Sequence, residues 1–339
     1  MHTSAPRQTL VGVQYLRGIA AIMVVAHHAR HYFSQADSWT DFGSRGVDVF
    51  FVISGLIMAY STRGVAAGSI DRATIADFLT KRFIRVVPLY WIALLWTSKK
   101  VILDPEIGPT IGLDLLFIPH FHAVYTTGVY PYLVPGWTIN YEVTFYVLFA
   151  GAMLFGSRRY VVMACLLIAL VCMSFLKWTS AAAIFYTSSV LLEFLLGLLV
   201  YFALARWRVR CSNGLLVAVF MASTALLAIE TSDQFRGFTD GPFAALMVWC
   251  CAQIDTAKLS SRALLLLGDA SYSIYLFHLA AFQVPDRLLR GLGFTQPDAW
   301  TVFIVIGAHV MSAIFAGVCI HLWIEKPMLE ALRRRWMSN

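Results

Sequence analysis

Residues 10–33 read LVGVQYLRGIAAIMVVAHHARHYF, an apolar run that nevertheless keeps Arg17 and a row of histidines. About 20 predominantly apolar residues span a hydrocarbon core as a helix, so this run predicts a first membrane helix and sets the fold class. From Arg17 to His28 the chain advances close to three helical turns, which puts both side chains on one face about 16 Å apart in height. An arginine inside a span costs about 2.5–3.5 kcal/mol even on translocon-based scales. A chain that keeps one, stacked below a titratable residue, is using the pair.

Composition supports that reading. Of 339 residues, 59% are hydrophobic and 13% charged, and the mean hydropathy is +0.70. Such values describe an integral membrane protein and exclude an ordinary soluble enzyme. The formal net charge of +7 would suit a nucleic-acid partner, but Lys and Arg cluster at the ends of apolar segments. That is a topology signal, and no nucleic-acid partner is expected. The first apolar stretch is too long for a cleavable signal core and lacks a small-residue cleavage site. Cys165, Cys172, Cys250, Cys251 and Cys319 lie in apolar segments and Cys211 beside Arg210. None falls in an outer loop, so inert buried thiols are expected in place of a disulfide framework.

Hydropathy predicts an all-α polytopic membrane protein of about ten transmembrane helices. They fall near 11–31, 46–62, 82–99, 137–155, 159–177, 183–205, 213–230, 241–254, 264–284 and 300–323, in one domain over 1–339. The stretch 100–136 holds Pro105, Pro109, Pro119, Pro131 and Pro135 and cannot be one continuous helix. An even number of spans puts both termini on one side. Assigning that side to the cytoplasm gives it 17 Lys/Arg against eight in the opposite loops, Arg17 being inside a span. The bias predicts cytoplasmic termini, with Arg17 toward the inner and His28 toward the outer end of their helix.

Five further constellations carry chemistry. Arg82-Phe-Ile-Arg85 puts two guanidinium groups on one helical face at the expected cytoplasmic mouth of the third span. They suit either lipid headgroups or a phosphate-bearing donor, with a helix N-terminus behind them to favour an anion. In the Gly46–Gly55 block the glycines allow close backbone approach, and Asp48 is either a substrate contact or an interfacial aspartate at a helix start. Trp137-Thr-Ile-Asn140-Tyr-Glu142, with Tyr146 one turn on, places a carboxylate inside the membrane, where such groups lean functional. Ser271, Tyr275 and His278 form a polar stripe at i, i+4 and i+7, suited to interhelical hydrogen bonds or to a relay. His27 and His31 have the i, i+4 spacing of two metal ligands, but no neighbouring Cys or Glu completes a shell, and no metal is expected. Glu193 reads as structural. His120 and His122 have no assigned role.

Taken in order, six stretches resemble the acyltransferase-3 family of integral membrane acyltransferases. They are Gln14-Tyr-Leu-Arg17 with its Arg-x10-His spacing to His28; Gly46–Gly55; Arg82-x-x-Arg85 with Pro88-Leu-Tyr90-Trp91; Trp137–Tyr146; Ser271–His278; and Glu325-Lys-Pro327. The first and fourth look most like the exopolysaccharide O-acetyltransferase branch, with Thr138 where many members carry serine. Motif spacing selects His28 over His27.

The resemblance implies transfer of an acyl group, acetyl being the expected one, from cytosolic acyl-CoA to a sugar hydroxyl. The acceptor would be a polysaccharide or a lipid-linked oligosaccharide. On this reading His28, Glu142 and Arg17 are catalytic, and Arg82, Arg85 and Arg17 hold the acyl-CoA. Asp48, Trp137, Asn140, Tyr146, Ser271, Tyr275 and His278 contact the acceptor. Acyl-CoA is a co-substrate and no cofactor is tightly bound; membrane lipid is a partner, self-association is left open, and the place is the cytoplasmic (inner) membrane of a bacterium. His28 would act as general base or briefly carry the acyl group, while Glu142 holds the tautomer of the imidazole and stabilises its charged form. The rival reading is a secondary transporter or polysaccharide permease using Arg17, Glu142 and His28 as a relay. It would favour internal repeats and broken paired helices, and the sequence shows neither.

Overall fold

The computed structural model describes residues 8–30, 41–65, 70–124, 128–206, 211–229, 235–254, 261–291 and 299–337. Among them the regular structure is entirely helical. The helices are α1 (Gln8–Arg30), α2 (Gly46–Thr62), α3 (Arg72–Ser98), α4 (Gly108–Leu115), α5 (Gly136–Met153), α6 (Arg159–Cys172), α7 (Ala181–Tyr186) and α8 (Leu191–Arg206). There follow α9 (Asn213–Leu227), α10 (Arg236–Thr239), α11 (Gly241–Gln253), α12 (Arg262–Asp269), α13 (Ser271–Ala281), α14 (Gln283–Gly291), α15 (Ala299–Ile320) and α16 (Lys326–Met337). Large apolar side chains stand at the surface throughout, among them Phe315, Ile304, Leu154 and Val161. In water such exposure would be a liability; in lipid it is the expected outer face of a span.

Every segment expected to cross the membrane contains helix, but several differ in form. By length and composition Gly43–Thr62, Gly156–Phe175, Ala181–Arg206 and Val302–Trp336 are long and apolar enough to cross a membrane. A further candidate, Arg262–Asp269 with Ser271–Leu289, is bent by 71° at its break. The sixth expected span is interrupted between α7 and α8. The third begins ten residues before its apolar part. Asp71 caps α3, its carboxylate accepting from the Thr74 backbone N–H at 2.8 Å. Hydropathy sees only the apolar portion of that helix. Pro327 has no N–H for the carbonyl four residues back, and there the helix runs through a π-turn, His321–Glu325.

Two compact units share the chain. Residues 1–53 and 199–324 form the first. Its core joins α1, α13 and α15 mainly through small side chains, Ala21, Val25, Ala29, Ala270, Ala281 and Ala313, with the larger Ile274 and Phe282 among them. Residues 54–198 and 325–339 form the second, whose interior is aromatic. There Phe145 stacks on Phe194 at 4.4 Å and Tyr141 on Phe185 at 3.9 Å. The two motif glycines act as expected, one in each unit. A Cβ on Gly46 would fall 2.4 Å from the Ala20 carbonyl oxygen, and one on Gly55 would fall 2.1 Å from that of Phe194.

The cysteines need a correction. All are free, as expected, but Cys165 and Cys172 are exposed on α6, beside the outward-facing Val161 and Ile168. That face of the helix is apolar surface and not core.

Candidate active site

In the first unit, Arg17 and His28 each have a local support. The His28 Nδ1 is 3.0 Å from the carbonyl oxygen of Val24, one turn back on α1. A carbonyl oxygen can only accept, so Nδ1 carries the hydrogen and the neutral ring has its lone pair on Nε2. The imidazole is thereby held in the tautomer of a base. His27 meets it edge-on, with ring centroids 5.1 Å apart. Arg17 donates from Nη1 to Gln14 Oε1 at 3.1 Å, and Gln14 Nε2 donates to Asp269 Oδ1 at 2.6 Å. Asp269 thus orients, through one amide, the guanidinium that the first helix keeps inside its apolar run.

Asp48 departs from expectation. It is fully buried, and both carboxylate oxygens are taken by Arg236: Nε to Oδ1 at 2.7 Å and Nη2 to Oδ2 at 2.6 Å. Arg236 also donates to the Ser44 carbonyl at 2.8 Å, and nearby Arg45 pairs with Asp240 at 3.0 Å. Burial and the bidentate pairing commit both oxygens of Asp48 to Arg236. It is a structural carboxylate at a helix start, closing α2 against α10.

The stripe Ser271, Tyr275 and His278 is likewise buried, on α13. Tyr275 lies against Phe50, with ring centroids 6.0 Å apart. All three are buried among packed helices, away from any exposed surface of the described residues. His278 reaches a residue of the predicted chemistry: its ring is 4.8 Å from that of His28.

In the second unit Glu142 is half-buried and organises its surroundings. Tyr146 donates its hydroxyl to Glu142 Oε1, and Ser54 Oγ donates to the same oxygen at 3.1 Å. The guanidinium of Arg82 lies 5.9 Å from the Tyr146 ring centroid and 5.5 Å from that of Phe78, and donates from Nη2 to Ser61 Oγ at 2.8 Å. Its buried Nε–H has no hydrogen-bond partner among the described residues. Arg85, one turn along and half-buried, faces the same way by helical spacing. The expected help from a helix N-terminus is absent. Arg82 sits a full ten residues inside α3, and the effect of the dipole fades within the first turn. The anion-binding capacity here belongs to the guanidinium groups alone.

Trp137 and Asn140 open α5, Trp137 half-exposed against Tyr141 and Asn140 buried with Oδ1 unpartnered among the described residues. Glu193 is fully buried on α8. Among the described residues no group of three His, Cys, Asp or Glu side chains could hold a metal; His31 lies outside them.

Several supporting residues escaped the sequence reading. Gln14 was within reach, being three residues from Arg17 on the same face. Asp269, Ser54 and Ser61 were not, because their partners lie on other helices.

Residues 10–321 match the family model of the acyltransferase domain named for acyltransferase type 3. The chain belongs to the acyltransferase-3 family. It is 32% identical over 307 residues to the exopolysaccharide production protein ExoZ of Rhizobium meliloti (strain 1021), covering 86% of this chain and 92% of that protein. It is 26% identical over 367 residues to the acyltransferase MdmB of Streptomyces mycarofaciens, covering 94% and 92%. The O-acetyltransferase OatA of Staphylococcus aureus (strain NCTC 8325 / PS 47) is 23% identical over 94% of this chain but only 57% of its own length. No solved structure matches. The acyltransferase-3 chain described here is a membrane protein built to transfer acyl groups to oxygen.

Proposed function

We propose that this acyltransferase moves an acyl group, acetyl being the expected one, from cytosolic acyl-CoA to a sugar hydroxyl. The acceptor is an exported polysaccharide or its lipid-linked precursor, and the protein sits in the inner membrane of a bacterium with both termini cytoplasmic. The similarity to a protein named for exopolysaccharide production supports the acceptor class. The observation that carries the chemistry is the Nδ1–H of His28 on the Val24 carbonyl, which puts the lone pair of the neutral ring on Nε2, the atom a general base uses.

In the proposed reaction His28 Nε2 removes the hydroxyl proton as the oxygen attacks the thioester carbonyl. The C–S bond breaks and the proton finally leaves on the CoA sulfur. Arg82 and Arg85 hold the CoA phosphates, the unsatisfied Nε–H of Arg82 being one donor awaiting an anion. Arg17, steadied by Gln14, guides the donor and stabilises negative charge. Tautomer control, expected of Glu142, has a source within α1, the Val24 carbonyl.

Purified protein in detergent, given acetyl-CoA and a glycan acceptor, should release free CoA and acetylated sugar. Absence of turnover together with substrate flux in proteoliposomes would overturn the reading in favour of a transporter.

A further inference from the structure

His278 is a buried histidine to which the proposed reaction gives no step. Its Nδ1 lies 2.5 Å from the Tyr275 carbonyl oxygen, so by the argument used for His28 its hydrogen is on Nδ1 and its lone pair on Nε2. The side chain is fully buried, and Nε2 has no hydrogen-bond partner among the described residues. Leaving a buried polar atom unsatisfied costs about 1–3 kcal/mol. The rings of His28 and His278 are 4.8 Å apart and tilted by 50°. Phe282 packs edge-on against His278, with ring centroids 5.5 Å apart.

Another buried histidine nearby shows the contrast. Beyond Phe282, His309 directs Nδ1 to the Val305 carbonyl at 2.7 Å and Nε2 to Asp286 at 2.9 Å. Both of its nitrogens are occupied, as a structural histidine's should be. His278 has the same burial and the same Nδ1 arrangement, with the second nitrogen left open beside the proposed base.

We propose that His278 is a relay and positioning residue for His28, a second imidazole that holds the proton during acyl transfer. The proposal rests on the reading of His28 as the base. The hydroxyl O–H bond breaks as the new O–C bond forms, and the proton goes first to His28 Nε2. It then passes to His278 Nε2, which frees His28 from a charge next to the incoming thioester. It returns through His28 to the thiolate expelled from CoA, so protons and charge balance over the cycle. Two neutral rings with matching tautomers suit this exchange, because either Nε2 can accept and neither Nδ1 has to move.

The test compares His278→Ala and His278→Gln with His28→Ala, all verified as folded by size exclusion and thermal unfolding in detergent. Glutamine fills the volume and accepts a hydrogen bond but cannot hold a proton. Both His278 variants should lose about 10²-fold in kcat, toward the low end of general acid–base help, with little change in KM for either substrate. Added imidazoles should restore His278→Ala at rates that rise with their basicity, while pyrazole, similar in size but weakly basic, should not. Wild-type turnover in His278→Gln, or equal rescue by pyrazole and imidazole, would overturn the relay. Full activity in His28→Ala would instead bring down the base assignment on which it stands.

Discussion

The choice between His27 and His28 turns on one hydrogen bond. Family spacing selects His28, and the Val24 carbonyl gives a physical reason, since it fixes the tautomer a base requires. His28→Ala should abolish transfer, with a loss of at least about 10²-fold, while the protein remains folded and inserted; His27→Ala should keep most of its turnover. Released CoA measures both, and the reverse order would move the base to His27. Arg82 and Arg85 answer to a different readout. Losing a hydrogen bond to a charged group removes about 1.5–3 kcal/mol, so each alanine variant should raise the KM for acyl-CoA roughly 10- to 100-fold. The acceptor KM should stay nearly constant. An unchanged donor KM in both variants would refute a phosphate clamp.

The segment between α3 and α5 illustrates what an element adds beyond its residues. Sequence marks it as proline-broken, with two histidines lacking a role. In the structure α4 places Asp114 in a fully buried position, where Oδ2 accepts from the Tyr132 backbone N–H at 2.8 Å. His120 approaches the other oxygen at 3.6 Å, and His122 stacks on Tyr132. Burial pushes the Asp114 carboxyl up from the ordinary 3.8 to about 7, against the pull of the Tyr132 N–H. The folded chain therefore holds a proton that the unfolded chain has released. The stabilisation is complete below about pH 3.8, declines as pH rises, and is gone above about pH 7. Asp114→Asn keeps the acceptor for Tyr132 without the charge. Its melting temperature should exceed that of the wild type at pH 8, by about 2–4 °C per kcal/mol recovered, and converge with it toward pH 4. Parallel melting curves across that range would show that Asp114 is solvated after all.

At the scale of the whole molecule, the pairs that tie distant segments together carry stability without chemistry. Asp48 and Arg236 are 188 positions apart and fully engaged with each other within the first unit. Removing one partner of such a buried pair typically costs about 3–5 kcal/mol, because the other charge is left uncompensated. Asp48→Asn should therefore lower the unfolding temperature in detergent sharply, and the protein that remains folded should keep the wild-type KM for the acceptor. A raised acceptor KM with unchanged stability would return Asp48 to the substrate-binding set.

Much of this protein can be read in its sequence, because the relevant physics is local. Apolar runs predict helices in lipid wherever they occur, and i, i+3 and i, i+4 spacing places Arg82 with Arg85 and Tyr146 with Glu142 before any fold is known. The ordered motifs carry the family in the same way, and all of these readings hold. α3 starts ten residues before its hydropathy boundary because a capped, polar helix start leaves no mark in hydropathy. The partners were illegible for a deeper reason. Gln14 meets Asp269 across 255 positions, and His28 meets His278 across a similar distance. Such pairings depend on which helix faces pack and in what register, and no local spacing encodes that. Sequence alone determined an all-α membrane acyltransferase and nominated a shortlist of side chains for its chemistry. Tertiary structure decided their states: Asp48 is consumed in an ion pair, Arg17 is steadied through an amide, and His28 lies beside a second imidazole with an open nitrogen.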